Sequence, residues 1–311
     1  MSCLLKFSIP LLIGNLAQQM YNTVDAIVIG QSAWGDNGLA AVGLAGPIVN
    51  LLLVLFMGIS TGASILSAQF FGAKDRSSLN RCLGASLFLI VVSGLIMMVA
   101  GYFLSPALIK MTTPASEAVT ETVDDAAGSA AAEEALLSDI AAENSAAETT
   151  AADPEAAQKN TAEDLAIVAE GATAYLQIFF LGIIGSGMYN IISGILRGLG
   201  DSMMPLLFLL VACVLNIFLD LVFVNSMGVA GVALATIIAQ GVSALLCLWR
   251  VCTIRHICDV KMKLILHPDK ALMLKIGALG LPSGITQAIF STSAIIVQKL
   301  TNSLGPPFYI F

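Results

Sequence analysis

Two carboxylates stand out because each lies inside a long apolar stretch of the sequence. Asp25 lies in the stretch 10–31, and Asp220 lies in the stretch 203–224. Outside the acidic segment 112–170, no other Asp or Glu falls inside such a stretch. An ionisable side chain is costly in hydrocarbon, so both positions are candidates for function.

Two further polar side chains are expected at the depth of these carboxylates. Asp25 and Asp220 each lie roughly 8 Å from the outer end of a span, at the helix rise per residue. Asn216 precedes Asp220 by four residues and shares its helix face. Thr236 lies about 12 Å down the following helix. These oxygen ligands suit a hard cation such as Na⁺. They suit protons equally, because two close carboxylates in a low dielectric do not both ionise readily.

Other polar residues carry a weaker signal. Gln18, Tyr175 and Asn190 could line a cavity or could simply pack between helices. Pro10, near the start of a span, permits a bend and is also tolerated in a first helical turn. The sequence has no Ser/His/Asp order, no GxxxxGK[ST] and no HExxH, so we expect no enzyme activity and no resident cofactor. The six cysteines form no CxxC pair.

Composition predicts the elements that must position these residues. The chain is 57% hydrophobic and its mean hydropathy is +0.89, which is typical of a polytopic membrane protein. Spans of about 20 residues must be helices, because helices satisfy their backbone polar groups in lipid. We predict an all-α protein with seven spans, at about 4–30, 46–71, 82–109, 171–196, 203–224, 229–251 and 272–304.

The distribution of charge predicts the orientation. Residues 112–170 hold fourteen acids and one basic residue, whereas the remainder holds seven acids and thirteen Lys or Arg. If the spans alternate from a cytoplasmic N-terminus, eleven of the fourteen basic residues lie on the cytoplasmic side, and loops 31–45 and 225–228 have none. This follows the positive-inside rule. We therefore expect a multi-pass protein of a prokaryotic inner membrane.

The predicted organisation has five parts. Residues 1–111 hold the first three helices, and 112–170 form an acidic, low-complexity, extracytoplasmic insertion that is disordered or weakly helical. Residues 171–252 hold three more helices, 253–270 form a basic cytoplasmic loop, and 271–311 hold the seventh helix. Aligning Pro10 with Pro282 shows a weak repeat, with Asn15 against Gln287. The seventh helix thus looks like the first helix of a second bundle.

The chain resembles the amino-terminal half of a multidrug and toxic compound extrusion (MATE) transporter, together with its seventh helix. The stretches that carry the resemblance are IPLLIGNLAQQMYNTVDAIVIGQ, GISTGASILSAQFFGAKD, YNIISGILRGLGDSMMP, NIFLDLVFV with GVAGVALATIIAQ, and LPSGITQAIFSTSAIIVQKLTNSLG. The resemblance implies two six-helix bundles, so we expect the chain to be a fragment or a half-protein that acts with a second half or a second copy.

The resemblance also implies a function. It implies export of cationic or amphipathic compounds by alternating access, coupled to entry of Na⁺ or H⁺ as the coupling ion. It places the ion site at Asp25, Asn216, Asp220 and Thr236, with Gln18, Tyr175 and Asn190 nearby and Pro10 as the bend of the first helix. Two alternatives are a flippase of lipid-linked sugars from the same superfamily and a non-transporting half that binds a partner. No nucleic-acid partner is expected.

Overall fold

The computed structural model describes residues 2–112, 154–255, 257–259 and 262–303. Most of the predicted acidic insertion lies outside these residues. The described parts form helices and no strands. The helices are α1 (Ser2–Gly30), α2 (Gly35–Gly72), α3 (Arg76–Thr112), α4 (Pro154–Gly198), α5 (Met203–Met227), α6 (Val229–Thr253), α7 (Met262–Leu266) and α8 (Lys270–Ser303).

Six of the seven predicted spans are helices that are long and apolar enough to cross a membrane: α2, α3, α4, α5, α6 and α8. The predicted class, an all-α polytopic membrane protein, is therefore confirmed. Helix α1 has 29 residues, which corresponds to a length of roughly 43 Å, but it is not one of the six. Its middle carries Asn15, Gln18, Asn22 and Asp25, and these polar side chains lower its hydropathy.

Helix α4 begins earlier than the span predicted from the sequence. It starts at Pro154, within the stretch predicted as acidic insertion, whereas its apolar part runs from Ala166 to Gly198. The residues before the apolar part are rich in Ala and Glu, which are strong helix formers. Once the apolar part is helical, adding such residues is favourable because propagation is easier than nucleation.

Helix α4 is the centre of the bundle and packs against α2, α3 and α6. Phe56, Ile90, Phe180 and Ile191 belong to one buried cluster between these helices. Close approach of α2 and α4 depends on Gly194, because a Cβ there would meet the Ser60 side chain. Helix α8 packs mainly along α2.

A single residue, Gly228, connects α5 to α6. Its φ of 60° lies in the left-handed region, and a Cβ on it would collide with the indole of Trp34. Glycine is the residue that accepts both conditions. The tight turn makes α5 and α6 antiparallel neighbours, and this brings Asp220 near the start of α6.

The basic residues between helices gather at one end of the bundle, here called the basic end and marked by Arg76, Arg81 and Arg250. Arg76 lies 3.7 Å from Asp259 and Arg81 lies 3.8 Å from Asp269. Arg250 donates to Asp201 Oδ2 through two nitrogens, at 2.8 and 2.9 Å. These contacts join the start of α3 and the end of α6 to the loops that precede α5, α7 and α8.

Candidate functional site: a carboxylate pair beside a polar cavity

A cavity of about 500 Å³ lies between α1, α2, α4, α6 and α8. Its lining is unusually polar for the interior of a membrane protein, and Asp25 is the only charged residue among the described residues that line it. Eight amide side chains line it: Asn15, Gln18, Gln19, Asn22, Asn50, Asn190, Gln240 and Gln287. The cavity therefore presents many hydrogen-bonding groups around one carboxylate.

Asp25, Asn216 and Asp220 form one hydrogen-bonded cluster behind the cavity wall. Asn216 and Asp220 lie one turn apart on α5 and both are fully buried. With its amide nitrogen toward the carboxylates, Asn216 donates to Asp25 Oδ1 at 2.8 Å and to Asp220 Oδ2 at 3.2 Å. The amide thus bridges the two carboxyl groups. Of these three residues, only Asp25 lines the cavity, so it connects the cluster to the open space.

The orientation of the Asn216 amide decides what the cluster can hold. Turned the other way, its oxygen would face only acceptors. Three oxygens that face one another need a cation or a proton between them, since none of them can donate. In one orientation the Asn216 amide thus bonds both carboxylates, and in the other the three side chains offer an oxygen site.

Thr236 lies on the cavity wall and is buried. Its hydroxyl donates to the Val232 carbonyl of its own helix at 3.0 Å. Thr236 therefore lies beside the cavity, and its hydroxyl donates to a backbone carbonyl rather than to a carboxylate. Its oxygen keeps lone pairs for a further partner.

The other residues predicted from the sequence fall into two groups. Gln18, Tyr175 and Asn190 all line the cavity. Tyr175 stacks on Phe179 with ring centroids 6.4 Å apart, and the Asn190 amide donates to the Ser186 carbonyl at 2.8 Å. Pro10 does not line it; it is buried within α1, which continues through it as helix.

The structure adds two residues that the sequence analysis did not select, Tyr21 and Gln240, both on the cavity wall. Among the described residues, three buried side-chain atoms have no hydrogen-bond partner: Tyr21 Oη, Asp220 Oδ1 and Gln240 Oε1. All three belong to this site or its wall. Helical spacing holds the missed signal, because Tyr21 precedes Asp25 by four residues and Gln240 follows Thr236 by four.

Comparison with known proteins places the chain in a family. The MatE family model matches residues 10–126 and 157–222. YpnP of Bacillus subtilis, described as a probable multidrug resistance protein, is 27% identical over 304 residues, which are 97% of this chain and 56% of that protein. NorM of Thermotoga maritima, described in the same words, is 23% identical over 312 residues, covering 98% of this chain and 56% of that protein.

Solved structures agree on the fold. A multidrug resistance MATE family transporter in its outward-facing conformation superposes with a TM-score of 0.71 at 24% identity, covering 97% of this chain and 56% of that one. A MATE structure in the straight conformation gives a TM-score of 0.72 at 23% identity, covering 97% and 56%.

The fold is that of a multi-pass helical membrane protein with a central polar cavity. The chain belongs to the MatE family, whose members are membrane transporters and not enzymes. The resemblance seen in the sequence is therefore confirmed. The chain spans about half the length of the curated relatives it matches, 56% of YpnP and of NorM.

Proposed function

We propose that the chain provides the first bundle, and the first helix of a second bundle, of a cation-coupled exporter of cationic or amphipathic compounds. One observation carries this proposal: a carboxylate pair, fully buried at Asp220 and half-buried at Asp25, is bridged by the Asn216 amide. Of these three residues, only Asp25 touches the polar cavity. An ion or proton that reaches the pair changes the charge of the one acid that a cationic substrate would meet.

The coupling ion in this proposal is Na⁺ or H⁺. The residues fit either ion, because carboxylate, amide and hydroxyl oxygens are the ligands of hard cations and adjacent carboxylates share a proton readily. The residues that would hold the ion are Asp25, Asn216, Asp220 and Thr236. Support comes from the unpartnered Asp220 Oδ1 and from the amide of Asn216, which can present its oxygen.

The substrate would occupy the 500 Å³ cavity. A cation there gains from an ionised Asp25 and loses that attraction when the carboxyl is neutralised by an ion or proton. The amide side chains offer donors and acceptors to substrates of different shape. Gln18, Tyr175 and Asn190 are the proposed supporting residues, and Pro10 is the proposed point at which α1 bends.

The proposed orientation places the basic end in the cytoplasm of a prokaryotic cell and the chain in its inner membrane. The gathering of Arg76, Arg81 and Arg250 at one end supports it through the positive-inside rule. The partner in this proposal is a second half or a second copy, which supplies the other wall of the cavity. A flippase of sugar-linked lipids is less well supported, because the charge lining the described cavity is acidic.

The test is efflux of a fluorescent cationic dye from cells that express the chain, alone and with a separately supplied second half. We expect Asp25→Asn and Asp220→Asn each to abolish dye export while the protein still inserts. The matched control is Asp36→Asn, which removes an exposed carboxylate on α2 away from the cavity and leaves export unchanged.

The outcomes separate the alternatives. Export that survives in both cavity variants contradicts the coupling mechanism. No export by any form, with or without the second half, contradicts the transport function and favours a non-transporting half. Repeating the assay with an imposed Na⁺ gradient and then with an imposed pH gradient identifies the coupling ion.

A further inference from the structure

A second, smaller cavity lies toward the basic end, between α1, the end of α4 and the start of α5. Its volume is about 50 Å³, room for three or four waters or for one group of similar size. Asn15, Gln18, Arg197 and Ser202 line it, and no acid does so among the described residues. Its lining charge is thus opposite to that of the large cavity, although the two cavities share Asn15, Gln18 and Asn190.

Arg197 supplies that charge and has no counter-ion. It is half-buried, next to the last residue of α4, within a helix that is apolar enough to span the membrane. Its carbonyl accepts the Gly200 N–H at 2.9 Å, but its guanidinium donates no hydrogen bond and forms no ion pair within the described parts of the chain. An uncompensated guanidinium in such a place is costly.

The nearest acid in sequence cannot compensate Arg197, because Asp201 is already engaged. Asp201 Oδ2 accepts two bonds from Arg250, at 2.8 and 2.9 Å, and Asp201 Oδ1 accepts the Met204 backbone N–H at 3.3 Å. Arg250 is thus paired at this end of the bundle, whereas the Arg197 guanidinium is available to another anion.

The remaining lining groups can complete an anion site. The Ser202 side chain caps no backbone N–H of α5, and its hydroxyl carries a proton that it can donate to a ligand. The side-chain amides of Asn15 and Gln18 have no hydrogen-bond partner within the described chain and bring two more donors. A planar guanidinium binds the oxygens of a phosphate in pairs, which makes Arg the preferred residue for such groups.

We propose that this cavity is a binding site for a phosphate group, held by Arg197 and completed by Ser202, Asn15 and Gln18. The group comes either from free inorganic phosphate or from the headgroup of an anionic phospholipid, since both present the same oxyanion. The site is separate from the carboxylate cluster and does not depend on the proposed transport function.

The test is thermal unfolding of the purified, delipidated chain in detergent, with inorganic phosphate added at constant ionic strength. We expect phosphate to raise the Tm of the wild-type chain by about 2–4 °C, the scale of a ligand effect of about 1 kcal/mol in a chain of this size, and to saturate. Arg197→Gln removes this shift. Lys275→Gln is the matched control, because Lys275 is exposed on α8 and carries the same charge, and the shift remains.

A second probe separates the two sources. The probe is short-chain phosphatidylglycerol. If it raises the Tm of the wild-type chain more than phosphate does, and raises the Tm of Arg197→Gln much less, the site binds a lipid headgroup. Equal effects of lipid and phosphate assign it to the free anion.

A readout on the wild-type chain covers the case in which Arg197→Gln fails to fold. Mass spectrometry follows the modification of Arg197 by phenylglyoxal, which must become slower as phosphate is added. Half of this slowing must occur at the phosphate concentration that gives half of the Tm shift. A phosphate shift that is the same in Arg197→Gln as in the wild-type chain overturns the proposal. So does unchanged labelling of Arg197 at saturating phosphate.

Discussion

Replacing Asn216 by Ala tests whether the carboxylate pair is held by the amide that bridges it. Asn216 is fully buried and donates to Asp25 at 2.8 Å and to Asp220 at 3.2 Å. A hydrogen bond to a charged group contributes about 1.5–3 kcal/mol. Two such bonds give an upper range of about 3–6 kcal/mol, and water that reaches Asp25 from the cavity offsets part of the loss. We expect Asn216→Ala to lower the free energy of unfolding by about 3 kcal/mol.

The assay is equilibrium unfolding by SDS titration in mixed micelles, followed by a double-mutant cycle with Asp25→Ala. Because Asp25 accepts one of the two bonds, the cycle should give a coupling free energy of about 1–2 kcal/mol. Asn50→Ala is the control: Asn50 is exposed on the wall of the same cavity, and its loss should cost less than about 0.5 kcal/mol. Additive effects of Asn216→Ala and Asp25→Ala would refute the bridge.

Two further predictions concern packing and thiol reactivity. Gly62→Ala on α2 places a Cβ against the Ile276 carbonyl of α8, so it should lower stability by about 1–3 kcal/mol through overpacking. Gly43→Ala is the matched control, since a Cβ there meets nothing within 4 Å and should stabilise the helix by about 0.5–1 kcal/mol; equal effects in SDS titration would contradict the close contact. Cys258 is buried in the loop after α6, and burial raises the pKa of its thiol to about 11, so maleimide at pH 8 should label it far more slowly than the partly exposed Cys252. Similar labelling rates, read by mass spectrometry, would show that the loop does not cover Cys258.

Much of the fold could be predicted from sequence because its signals are local. Each span is a long apolar run, and the i, i+4 spacing places Asn216 and Asp220 on one face of α5. The start of α4 was not predicted, because hydropathy reports the apolar part of a helix and not the polar turns that continue it. The polar middle of α1 has the opposite effect and lowers the hydropathy of a helix that has the length of a span.

The candidate site was harder to predict where it depends on contacts between helices. The depth of each residue in its span predicted that Asp25 and Asp220 lie at the same level of the membrane. Depth did not show that the Asn216 amide faces both carboxylates. Gln240 was missed although it follows Thr236 by four residues, because a single amide on an apolar helix often serves only to pack helices together. The small cavity was missed because the sequence does not show that Asp201 pairs with Arg250. Without that pairing, Asp201 would be the expected counter-ion of Arg197.

The position of α1 bears on the proposed link between an ion and a substrate through Asp25. Helix α1 packs mainly against α5 and only lightly against α2 and α6, so it is held less firmly than α4. Its polar links to α5 are the bond from Asn216 to Asp25 and the contact of Cys213 Sγ with the Ala17 carbonyl at 3.9 Å. Its apolar residues Leu16 and Met20 are exposed away from the core. In the proposed mechanism, an ion or proton at the pair changes the contact through which Asp25 of α1 meets Asn216 and Asp220 of α5. The same event neutralises the acid that holds a cationic substrate, so attachment of the helix and affinity for the substrate change together.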